Sequence, residues 1–168
     1  ADGATLEVQV LANGKSLTNS SLTLGTSGNL TNVFTLGANA STTVPPITVT
    51  GALTVNGTVT VNVTATGLVG TTYPLIGYNS SSGPGSFVLG SVPTVVGYTA
   101  SVTNNPTSKQ VELVYTPLPV PVVKWAVGNG NWDTSTANWK LVSDNSVTNY
   151  VEGAKVTLDD SASGSSPI

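Results

Sequence analysis

The sequence predicts an all-β chain wound as a β-solenoid with a β-rich cap, and three observations lead there. Thr, Ser and Asn make roughly a third of the 168 residues and Val is nearly as abundant as Thr, far from ordinary usage. Val and Thr are stiff at χ1 and pack well on a pleated surface, while helix formers are sparse, so helix is expected to be minor or absent. Short runs alternate apolar and polar residues between Gly, Asn and Ser turns. Between residues 47 and 63 the alternation becomes regular: Ile47, Leu53 and Val59 lie six apart, as do Val49, Val55 and Val61, with Gly51 and Gly57 at matching turns. A strand of three residues followed by a glycine corner is the pattern of stacked solenoid coils. Hairpins of an antiparallel β-sandwich also give frequent turn signals, and that fold stays open as the alternative.

Taken in order, residues 5–10, 21–24, 33–36 and 47–63 read as half-buried strands with branched aliphatics on one face and Thr, Glu or Gln on the other. From Gly67 the strands lengthen and gain aromatics: residues 73–78, 87–89, 92–98 and 110–115. A solenoid needs a terminal unit that covers its core and blocks its edge, and this stretch suits that role. Alternating prolines at 117, 119 and 121 mark a boundary. The expected organisation is coils plus cap over 1–116, a proline-rich linker or edge strand over 117–123, and a β segment over 124–168 packing on the solenoid. In that segment Trp125, Trp132 and Trp139 recur at seven-residue intervals, but the Gly, Asn and Thr between them oppose a helix, which assigns the tryptophans to strands and turns.

Composition excludes several functions. With no His and no Cys there is no Ser-His-Asp triad, no thiol nucleophile and no CxxC or HExxH zinc site. Five scattered lysines (15, 109, 124, 140, 155) in a chain of net charge −3 cannot form the basic stripe that nucleic acid requires. No apolar run reaches the ~18 residues of a membrane span. The acidic, Thr/Asn-rich balance points to a secreted protein. Without a charged-then-apolar leader, the Ala1 start reads as a mature or excised piece, which implies covalently linked neighbouring domains. Sequons at Asn19, Asn29, Asn39, Asn56, Asn62 and Asn79 are expected by chance in such a composition.

The run Gly67, Thr72-Tyr73-Pro74-Leu75-Ile76, Gly85-Ser86-Phe87 and Val111-Glu112-Leu113-Val114 resembles the autotransporter-associated β-strand repeat proteins of bacteria. So do Trp125, Gly128, Gly130, Trp132-Asp133-Thr134-Ser135-Thr136-Ala137-Asn138-Trp139 and Val156-Thr157-Leu158-Asp159-Asp160. The resemblance implies a right-handed parallel β-helix in an extracellular setting and no agreed activity. Parallel β-helices also occur among xylan-binding carbohydrate-binding modules, a fold-level analogy only.

Candidate sites follow. Glycoside hydrolysis needs two carboxylates roughly 5 to 9.5 Å apart, and adjacent Asp159-Asp160 on a strand point to opposite faces, so no catalytic residues are assigned. No cofactor is expected; calcium held by Asp133, Asp159 and Asp160 with Asn carbonyls is the weak alternative to turn capping by these acids. Sugar rings present apolar C–H faces that stack on aromatic planes, while Asn and Asp bond the hydroxyls. That chemistry selects Trp125, Asn131, Trp132, Asp133, Trp139 and Tyr78 as candidate ligand-binding residues. The competing reading makes the tryptophans an apolar plug. The expected function is a non-catalytic module that binds a plant cell-wall β-glycan such as xylan; the alternative is a purely structural solenoid segment.

Overall fold

The computed structural model describes residues 2–68, 71–159 and 161–162, which contain strands and turns but no helix. The chain divides into two compact units, residues 1–117 and 118–168.

The first unit is a parallel β-solenoid. Its first sheet stacks β1 (Thr5–Gln9), β4 (Leu30–Gly37), β6 (Thr58–Ala65) and β8 (Ser86–Leu89), all parallel. Its second sheet takes β2 (Leu17–Asn19) and β3 (Leu22–Leu24) side by side on β5 (Ile47–Val55), which pairs in parallel with β7 (Thr72–Ser82). From β3 to β8 the chain crosses between the sheets at each step, so the inner strands β4, β5 and β6 each pair with the coils before and after. Antiparallel strands β10 (Gln110–Pro117) and β9 (Tyr98–Asn105) then close that end of the second sheet. Only this hairpin departs from the coil pattern; β7 and β8, expected in the cap, are ordinary coil strands.

Strict alternation builds the interior. In β4 and β6 every second residue is buried, placing Leu30, Phe34, Leu36, Val59, Val61 and Val63 inside against Ile47, Val49, Leu53 and Val55 of β5. Each such side chain, fully buried, contributes about 1.5–3 kcal/mol. Outward positions stack in register, Thr5 on Thr31 on Thr60 and Thr23 on Thr54 on Ser82.

The six-residue spacing is not the coil length. Leu30 pairs with Val59 and Ile47 with Ile76, an offset of 29 residues at both pairs, against 26 for Thr5 with Thr31 and 28 for Thr58 with Ser86. The sixes arise because β5 and β6 face each other across one coil with matching alternation. Gly57 is a corner, as expected: a Cβ there would meet the Gly28 carbonyl oxygen at 1.8 Å. Gly51 instead lies inside β5, within an irregularity in its pairing with β7. Pro74 is tolerated in β7 because pairing to β5 begins only at Ile76.

Three sequon asparagines tie coils together. Asn39 and Asn56 donate from Nδ2 to the carbonyls of Val10 and Gly25, each at 3.1 Å, and Asn62 Oδ1 accepts from Ser91 N at 2.7 Å. Asn32 is the exception in the interior: it is fully buried between register neighbours Leu6 and Val61, and its amide finds no partner among the described residues.

In the second unit β11 (Val122–Trp125) pairs antiparallel with β12 (Trp139–Leu141) and parallel with β14 (Lys155–Thr157); β13 (Val147–Thr148) extends β12. The proline-rich stretch outside strands is therefore only 118–121, since Pro117 ends β10 and Val122 opens an inner strand.

Candidate functional site

Alternation in β11 sends Val123 and Trp125 to the buried face, and register sets Trp125 directly opposite Trp139. Their rings meet edge to face at 5.0 Å and 86°. Trp132 comes from the loop between β11 and β12 and lays its ring on Trp139 at 4.9 Å and 68°. It also meets Tyr150 at 5.4 Å and 73°. Such pairs are each worth about 0.5–1.5 kcal/mol beyond area burial. Trp139 is fully buried and Trp125 nearly so, whereas Trp132 is 56% exposed. The seven-residue spacing thus delivers two core indoles and one outermost ring resting on them.

The loop is held by its own polar groups. Asp133 accepts from the amides of Thr136 at 2.6 Å and Ser135 at 2.9 Å, and from both of their hydroxyls. These bonds, the Thr136 amide first, hold its carboxyl below the usual aspartate range. Asn138, buried, donates to the Asn131 carbonyl at 2.9 Å, leaving the Asn131 side chain exposed beside Trp132. A Cβ at Gly130 would meet Asn138 Nδ2 at 2.6 Å, so a larger residue there would push that amide off its bond to Asn131.

The remaining candidates sit elsewhere. Tyr78 is in the solenoid core, 7% exposed, its hydroxyl donating to Asn104 Oδ1 at 2.6 Å, so it offers no open ring. Of the proposed calcium ligands, Asp160 lies outside the described residues. Asp159 accepts from the Ser161 hydroxyl and from its amide at 2.9 Å, and Asp144 does the same with Ser146. Each acid therefore closes its own turn, and the described residues contain no group of three His, Cys, Asp or Glu placed to hold a metal ion.

Sequence reasoning missed a groove on the outer face of β5, β7 and β10, about 510 Å³, whose lining combines Pro45, Val49 and Tyr78 with hydroxyl and amide residues and Lys109. No protein-family model, curated protein or solved structure matches the chain.

Proposed function

We propose that this chain is a non-catalytic secreted module that holds a plant cell-wall β-glycan such as xylan. The observation that carries the reading is Trp132: a half-exposed indole, fixed from behind by Trp139 and Tyr150 and from the side by the Asp133 turn. A rigid ring loses little entropy on binding, and the apolar face of a pyranose stacks on it while the neighbouring Asn131 amide reaches a hydroxyl. Asp133 and Trp139 act by positioning that ring. Affinity electrophoresis in gels containing soluble xylan, mannan or β-glucan tests this. Migration is expected to be retarded by one of them, and Trp132→Ala to weaken binding about tenfold, one stacking contact's worth.

A second reading, a structural solenoid segment of an autotransporter-like surface protein, draws on the burial of Trp125 and Trp139 in the core of the second unit. Unretarded migration in all three gels, with Trp132→Ala changing only stability, decides for it.

A further inference from the structure

The groove on the second solenoid sheet is built around a glycine. Gly77 in β7 is the register partner of both Thr48 on β5 and Gln110 on β10, so a residue without a side chain forms the floor between two that have one. Glycine inside a strand weakens it and marks a close approach to the backbone. Pro45 walls one end, 3.1 Å from where a Cβ on Gly77 would stand. Pairing shifts on either side, between Val49 and Ala52 of β5 and between Val111 and Glu112 of β10. Such irregularities re-aim neighbouring side chains.

Lys109 closes the other end from the turn between β9 and β10. Its φ is +55°, a left-handed conformation that glycine adopts freely and lysine adopts under strain. Its carbonyl is pinned by the Tyr78 amide at 3.0 Å, and its ammonium donates to Asn79 Oδ1 at 3.4 Å. No acid lines the groove. The nearest in sequence, Glu112, is buried and engaged by the Ser108 hydroxyl at 2.5 Å and by Asn105 Nδ2 at 3.2 Å. A strained position thus keeps a single cation among neutral amides and hydroxyls. Strain of this kind concentrates at ligand sites.

We propose that this groove is a glycan subsite for a uronate-bearing sugar, an inference that rests on the carbohydrate-binding reading above. Lys109 takes the carboxylate as a point charge, while Asn79, Gln110 and Thr48 take ring hydroxyls. A phosphate polymer fits less well, since the groove has neither an arginine fork nor a second cation.

The test compares glucuronate-substituted xylan with the same polymer after its carboxyls are reduced to alcohols. The parent protein is expected to bind the acidic form about fivefold more tightly, the worth of one partly exposed charge contact, with the preference fading at high salt. Lys109→Gly removes charge and strain together. It should abolish the preference while leaving Tm equal or higher, so that lost binding is not lost folding. The proposal is overturned if the parent treats both polymers alike, if Lys109→Gly keeps the preference, or if dextran sulfate competes as well as the uronate polymer. Equal binding of both polymers sinks this subsite and leaves the Trp132 reading standing; binding of neither sinks both.

Discussion

Among the described residues of the solenoid, nineteen buried hydrophobic side chains form one core between two sheets, and apart from Phe34 and three tyrosines all are Val, Leu or Ile. In the second unit the buried hydrophobics among the described residues are Val123, Trp125 and Trp139, joined at their edges by Leu141, Tyr150 and Val156. The solenoid's longer strands run eight to eleven residues; those of the second unit run two to four. Stacking explains the difference. Where each coil pairs with the next, backbone groups are satisfied by repetition and small branched side chains suffice. A unit of about fifty residues has little interior, so it invests in large rings and in turns closed by aspartates.

All three tryptophans lie in the second unit, so their fluorescence reports on it alone, while far-UV circular dichroism is weighted to the solenoid. The comparison breaks most sharply at Trp139. Trp139→Ala empties the centre of the small core and is expected to cost about 3–5 kcal/mol, unfolding the second unit while the strand signal persists. A single concerted loss of both signals would show that the units are not energetically separate. Gly57→Ala attacks the solenoid instead, driving a Cβ into the Gly28 carbonyl where backbone cannot yield. A cost of about 3 kcal/mol, read as an earlier far-UV transition with tryptophan emission unmoved, is expected. A smaller effect of opposite sign comes from Asn32→Leu. Removing a buried amide without partners should raise solenoid stability by about 1–3 kcal/mol in urea unfolding. Lower stability would mean the amide is satisfied in solution.

The last contrast is pH. Hydrogen bonds hold Asp133, Asp144 and Asp159 of the second unit below the usual aspartate range, chiefly from Thr136, Ser146 and Ser161 respectively. The solenoid has one such group, Asp2, held down first by the Thr26 amide. A depressed carboxyl stabilises the fold above its unfolded pKa and loses that contribution as pH falls through its folded value. Acid titration below about pH 4 should therefore shift tryptophan emission before the far-UV signal changes. Simultaneous shifts would assign acid sensitivity to the solenoid as well.

Much of this was legible in the residues. Alternation along 47–63 names the inward row correctly, because a strand has only two faces, whereas the strand expected over 33–36 starts earlier, at Leu30. The turn-capping reading of Asp133 and Asp159 also described their contacts, since Asp followed two residues later by Ser closes locally. The exposed member of the tryptophan set was not legible: identical residues at equal spacing gave no asymmetry until Trp125 and Trp139 were paired across strands. The groove was equally hidden, because Thr48, Asn79 and Lys109 each lie about one coil apart in the chain.

Composition and alternation alone determined that this chain forms strands, buries branched aliphatics and turns hydroxyls outward, because those preferences act between neighbours a few residues apart. The coil length, the choice of Trp132 as the outer ring and the floor at Gly77 were decided by tertiary structure. Each depends on which distant strand lies alongside, and that register is fixed only when two sheets close over a shared core.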